Sequence, residues 1–258
     1  MGAFPGQTGS KMSATGLVML SSQMALQRSV DVIANNIANS STTGFKREGI
    51  AFDTILKQAV SPSGTDTSYV YDRATYRDTS AGTISKTGNS LDFAIQGNAY
   101  FEVQTPEGTQ YTRNGAFRLD SQGQLVTSTG LPVLSDGGQP IQFPEDSRDI
   151  TVGGDGFITA QSGTGSERTQ LGKLGIVSFD NPKQVIPSGS GMLKSTATPT
   201  QITDDEVVQG SIENSNVNPI SEMTDLIQLQ RAYEQAANIT SGENTRLTNA
   251  INTLSQLS

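Results

Sequence analysis

Near the C-terminus, Met223, Leu226, Gln230, Tyr233, Ala237, Thr240, Asn244, Leu247, Ile251 and Leu254 recur at alternating spacings of three and four residues. The pattern predicts a helix with a heptad-type seam. Asn218 followed by Pro219 supplies a start signal, because an Asn side chain caps free N–H groups and Pro fits the first helical position. A helix from Pro219 to Leu257 would be about 58 Å long, at about 1.5 Å per residue. Its seam mixes Leu and Ile with Gln230, Thr240 and Asn244, so it would be weak alone and needs partner helices.

The N-terminal partner is predicted from Met19, Leu26, Val30, Ile33 and Ile37, spaced by seven, four, three and four residues, with Ala25, Ala34 and Ala38 keeping the flanks narrow. Ser40-Ser41-Thr42-Thr43-Gly44 should stop it, since hydroxyls compete for backbone bonds and Gly44 can take a left-handed ending. An ordinary pair of core helices would show the same periodicity. Asn35, Asn36, Asn39 and Asn238, close to the seams, suit bonding to other subunits better than a dry core.

Between the helices the period changes to two. Ala99–Gln104, Gln110–Arg113, Ala116–Asp120, Gln124–Thr127, Leu131–Leu134, Ile150–Val152, Phe157–Ala160 and Leu174–Phe179 alternate apolar and polar residues between glycine-bearing turns. Asn114-Gly115 is the strongest hairpin signal among them. Short strands at this pitch predict an antiparallel, barrel-like sheet with Phe93, Ile95, Tyr100, Phe101, Tyr111, Phe117, Phe143 and Phe157 in its core. The fold class expected is therefore α+β: a mainly-β domain inserted between terminal helices that form a coiled-coil-type axial domain. The boundaries read as 12–60 plus 210–258 for the helical domain, 83–186 for the β-domain, polar linkers at 61–82 and 187–209, and an extension at 1–11.

Composition narrows the chemistry. The chain has 258 residues, no Cys, no His and a formal net charge of −8. Phosphate binding needs clustered Lys and Arg, and no basic stripe exists, so nucleic acid is not an expected partner. No apolar run reaches the roughly 18 residues of a membrane span, and the N-terminus lacks the plan of a cleavable secretory signal. Without Cys and His there is no thiolate or imidazole chemistry. Asp53, Asp92, Asp120, Asp155, Asp204, Asp205 and Glu206 read as solvated turn acids. Gly153-Gly154-Asp155-Gly156 lacks the Lys of a phosphate loop and the spaced acids of a calcium loop, and reads as a hairpin turn. No catalytic, cofactor-binding or metal site is expected.

Three long stretches carry a family resemblance. LQRSVDVIANNIANSSTTGFK at Leu26–Lys46 resembles the N-terminal signature of the axial proteins of the bacterial flagellum. GSIENSNVNPISEMTDLIQLQRAY at Gly210–Tyr233 resembles their C-terminal signature, and SLDFAIQGNAYFEV through TRNGAFRLDSQGQL resembles the β-domain of the rod proteins. Ser22–Arg28 with Asp31–Asn36 is most similar to the proximal-rod subgroup, in which Met12 matches the usual start.

The resemblance implies a non-enzymatic rod subunit, a drive shaft carrying torque across the periplasm. Its partners would be other rod subunits and hook-basal-body components, and it would leave the cell through the flagellar type III export apparatus without a cleavable signal. The implied assembly interface is Leu26, Val30, Ile33, Asn36 and Ile37 in the first helix, with Met223, Leu226, Gln230, Tyr233, Ala237, Leu247, Ile251 and Leu254 in the second. Two alternatives stay open. One is a distal-rod or hook subunit. The other is a carbohydrate-active or adhesive β-protein with helices as oligomerisation handles, which would need an exposed aromatic cleft and two carboxylates about 5–9.5 Å apart.

Overall fold

A computed structural model describes residues 14–57, 67–163, 168–181, 184–189, 191–202 and 206–256. The 1–11 extension, Asp204, Asp205 and Leu257 lie outside the described residues. The chain divides into two compact units: Met1–Asn35, Glu48–Tyr76 and Ile220–Ser258 form the first, and Asn36–Arg47 with Arg77–Pro219 the second.

The first unit holds most of helix α1 (Ala14–Ala38), the β1–β2 pair (Glu48–Lys57 and Thr67–Arg77) and helix α2 (Pro219–Gln256). The C-terminal helix starts at the predicted proline. No helix among the described residues is long and apolar enough to cross a membrane. Helix α1 ends where the hydroxyl run begins: Ser40 Oγ donates to the Ile37 carbonyl at 2.7 Å, and Gly44 turns left-handed at φ 69°. The stretch 61–82, polar enough to read as a linker, contains strand β2.

The second unit is almost all β. Its largest sheet has six antiparallel strands in the order β13 (Val185–Gly189), β14 (Met192–Ser195), β6 (Gly108–Thr112), β5 (Tyr100–Thr105), β12 (Ile176–Ser178) and β15 (Thr200–Gln201). Barrel-like closure does not occur in this sheet. Edge strand β13 carries Pro187, which has no N–H to donate, and edge strand β15 is only two residues long. Smaller sheets surround it: β9 (Ser147–Val152), β10 (Phe157–Ser162) and β11 (Arg168–Lys173); β4 (Phe93–Gln96) with β16 (Glu206–Gln209); β3 (Ile84–Lys86) with β17 (Ser211–Glu213); and β7 (Phe117–Leu119) with β8 (Leu125–Thr127).

The two-residue period places side chains of β5 on opposite faces. Phe101 enters the main core with Phe93, Phe117, Leu125, Val133, Phe143 and Ile158. There its ring meets Phe117 edge-on at 5.2 Å, a favoured aromatic geometry. Tyr100, one residue earlier, joins Tyr111, Val177, Phe179, Val185 and Leu193 in a second cluster. Phe157 departs from the expected core: it is 39% exposed, with Lys173 Nζ 5.5 Å from its ring centroid. Its neighbour Ile158 takes the core position, because alternation along β10 admits only one of the two.

Turn chemistry explains most connections. Gly153–Gly156 makes the predicted β9–β10 hairpin, with Gly156 at φ 82° and its N–H on the Gly153 carbonyl at 2.9 Å. Asn114-Gly115 does not make the predicted hairpin, since β6 pairs with β5 and β14 while β7 pairs with β8. Glycine is needed there for space. A Cβ on Gly115 would sit 1.7 Å from the Phe93 carbonyl oxygen, and the Phe93 N–H bonds the Gly115 carbonyl at 2.9 Å. Asp92 is buried instead of solvated, and accepts bonds from Thr87 Oγ1 at 2.7 Å and Asn89 Nδ2 at 3.0 Å.

Candidate assembly faces and a buried junction

In the first unit, helix α2 covers one stripe and leaves another bare. Glu222 is buried, and Leu226, Leu229, Ala236 and Thr240 are half-buried. Of the predicted seam, Leu226 and Ala237 are half-buried, whereas Met223, Gln230 and Tyr233 are exposed. The side chains of Leu247, Ile251 and Leu254 lie outside the description. Ile220, Met223 and Ile227, at helical spacings of three and four, are 76%, 56% and 51% exposed. Three large apolar side chains on one helix face are costly to leave in water.

On α1, Ile33 is buried, and Leu26, Val30 and Ile37 are half-buried. Leu20 and Met24, one turn apart, are exposed. Asn36 is 0% exposed and bonded within the chain itself. Gln23 of α1 and Ala237, Thr240, Ser241, Thr245, Thr248 and Asn249 of α2 line an open groove of about 470 Å³. Four Thr hydroxyls of α2 are satisfied internally: Thr224, Thr240, Thr245 and Thr253 each donate to the carbonyl four residues back, at 2.8–2.9 Å.

In the second unit, a junction that periodicity did not foretell is built around Glu213, the last residue of β17. Its Oε1 accepts from Lys46 Nζ at 2.5 Å and from the Gly82 N–H at 2.9 Å. Oε2 accepts from Arg113 Nη1 at 3.1 Å. All three charged residues are buried. Lys46 also donates to the Ser80 carbonyl at 2.7 Å. Arg113 donates to the carbonyls of Ile95 and Gly97 and lies 5.3 Å over the Tyr100 ring. Burial pushes the Lys46 pKa below its usual value, with the Glu213 hydrogen bond acting the other way.

The backbone around the triad is bonded as closely. The Gly44 N–H donates to the Glu213 carbonyl at 2.7 Å. Asn216 Oδ1 accepts from the Arg47 N–H at 2.6 Å, and its Nδ2 donates to the carbonyls of Asp78 and Ser80 at 3.1 and 3.0 Å. The Ser80 N–H and hydroxyl hold the Asp78 carboxyl below its ordinary pKa. Lys46 and Glu213 are 167 positions apart, and Arg113 and Glu213 are 100 apart. No local spacing could have paired them.

The junction's carboxylate is committed to two cations, and no group of three or more metal-ligating side chains occurs among the described residues. Phe93, Phe101, Phe117 and Phe143 are packed in the core, so they form no open platform for a sugar.

Three family models match the chain. "Flagella basal body rod protein" matches residues 17–46, "Flagellar hook protein FlgE/F/G D1 domain" residues 94–160, and "Flagellar basal body rod FlgEFG protein C-terminal" residues 208–253. The flagellar basal-body rod protein FlgF of Mesorhizobium japonicum is 39% identical over 85% of this chain and 89% of its own length. That of Rhizobium meliloti is 39% identical over 93% and 98%. The rod protein FlgG of Buchnera aphidicola is 34% identical over 81% and 88%.

Proposed function

The chain belongs to the flagellar basal-body rod protein family and is FlgF-like, and we propose that it builds the proximal rod through the exposed faces of its two terminal helices. It is a structural subunit of the rod. The reading of its assembly rests on one observation above others: Ile220, Met223 and Ile227 form a bare apolar stripe at the start of α2. Helices of neighbouring subunits would cover it in a coiled-coil-type axial layer, joined by Leu20 and Met24 of α1 and by the predicted seam positions Leu26, Val30, Ile37, Leu226, Tyr233 and Ala237, with Ile33 buried beneath them in its own subunit. Heterologous contacts of this kind extend without closing, as a shaft requires. The β-rich unit would form the outer layer.

On this reading the subunit carries torque across the periplasm, works with other rod and hook-basal-body components, and reaches them through the flagellar type III export apparatus. It has no catalytic role. The proximal position follows the FlgF-type relatives, which match at higher identity than the FlgG of Buchnera. The test is the triple variant Ile220→Asp, Met223→Asp, Ile227→Asp, expressed in a strain lacking the parent gene. Its β-rich unit should fold, and the cells should not swim. Normal swimming would refute the role of the stripe.

A further inference from the structure

We infer that Glu213 is a positioning residue for assembly: its single carboxylate and its carbonyl lock together the segments through which the chain leaves and re-enters the β-rich unit. Those segments are 44–47, which leads from the first helix to strand β1; 78–82, which returns from strand β2; and 213–217, which leads out to α2. Glu213 Oε1 holds the first through Lys46 and the second through the Gly82 N–H. It belongs to the third by sequence. Through Arg113, Oε2 ties all of them to strands β4 and β6, since that guanidinium also bonds the Ile95 carbonyl.

The contacts are redundant. Gly44 reaches the Glu213 carbonyl, and Asn216 repeats the three-way tie three residues further on, bonding Arg47, Asp78 and Ser80. The fit admits no extra atom. A Cβ on Gly82 would lie 1.9 Å from the Asn214 carbonyl oxygen, and one on Gly44 would lie 2.5 Å from the Arg113 backbone. Burying an acid with two bases is a poor way to gain stability, because desolvation offsets most of the attraction. What such a cluster supplies is a single geometry: Glu213 is held by both cations, and each cation is also bonded to fixed backbone carbonyls, so the three segments are kept in one arrangement. A subunit whose helices join a common axis while its β-rich unit lies outside needs those exits held, or strain between the layers is lost in loose tethers.

The inference rests on the rod-subunit reading, and its first test does not. In the purified full chain, Glu213→Gln keeps the shape and removes the charge that two buried cations share. Hydrogen exchange should show protection falling about tenfold or more at 44–47 and 78–82, while the amides of β5 and β10 stay protected. In the deletion strain the same variant should fail to restore swimming, even at temperatures where its circular dichroism matches the parent's. Unchanged protection at 44–47 and 78–82 would overturn the inference, as would normal swimming. If Glu213→Gln does not fold, Lys46→Met, which leaves the Glu213–Arg113 pair intact, is judged by the same two readings. A variant that regains swimming when a stabilising substitution elsewhere restores its Tm would show a role in stability alone, and would also overturn it. Normal rods in the deletion strain itself would instead strike the rod reading, leaving the exchange result to stand or fall separately.

Discussion

Gly44→Ala tests the junction from its backbone side. Gly44 has φ 69°, a region that costs a residue with a Cβ about 1–2 kcal/mol. The new Cβ would lie 2.5 Å from the Arg113 carbonyl carbon and 2.6 Å from both its oxygen and the Asn114 nitrogen. These are backbone atoms of the strand end that carries Arg113, so they cannot swing aside as a flexible side chain would. Relief requires the 44–47 segment to move, and the first casualty is the 2.7 Å bond from the Gly44 N–H to the Glu213 carbonyl, a loss of about 0.5–1.5 kcal/mol. The total is about 1.5–3.5 kcal/mol. Gly88→Ala is the matched control, with φ 78° and nothing within 4 Å of the added Cβ, so it should incur the conformational cost alone. Urea unfolding followed by circular dichroism should give a lower midpoint for Gly44→Ala than for Gly88→Ala, at similar slopes. Equal midpoints would show that the close approach at Gly44 is not a constraint, and the reasoning about the junction would fail with it.

Three further outcomes are expected. Phe101→Ala, at a fully buried ring, should cost about 3–5 kcal/mol, whereas Phe157→Ala should cost much less because that ring is partly in water; thermal melts of the two would show the reverse order if the core assignment were wrong. Glu102 is buried in β5 and burial raises its carboxyl pKa above the usual 4.5. The folded state then holds a proton more tightly than the unfolded state, and stability falls as pH rises from 4.5 through the folded pKa; Glu102→Gln should therefore be stabilising at pH 7 and neutral below about pH 4, as urea midpoints at the two pH values would show. Gly115→Ala, meeting the Phe93 carbonyl at 1.7 Å, should destabilise more than Gly108→Ala, whose Cβ meets nothing within 4 Å.

The sequence made the strands legible wherever a face had to be apolar. Phe93, Ile95, Phe101 and Phe117 are strand residues on the face of the main core, which alternation records, and Phe143 joins that core from outside a strand. It could not record which of two neighbouring faces held an aromatic: Phe157 reads like a core ring, yet Ile158 fills the core. Asn114-Gly115 carries the composition of a tight hairpin for a different reason, a backbone that passes 1.7 Å from where a Cβ would be. The stretches 61–82 and 187–209 read as linkers because Ser, Thr and Gly dominate them, yet they contain β2, β14, β15 and β16, whose ladder bonds come from backbone groups that composition does not record, with Met192, Leu193 and Val207 among their few buried apolar side chains. On α2 the periodicity predicts a seam. Its phase was less legible, because Met223 and Leu226 are equally apolar and only the partner decides which one is covered. The Lys46–Glu213–Arg113 cluster left no trace in local pattern at all, since charge and hydropathy alone do not mark an ion pair whose members are 100 or more residues apart.

Electron microscopy of basal bodies from a strain lacking the gene, with and without the full chain supplied in trans, decides whether this chain is a structural subunit of the rod. Basal bodies should lack a completed rod and hook, and the full chain should restore both. Complete rods and hooks in the strain lacking it would contradict the claim.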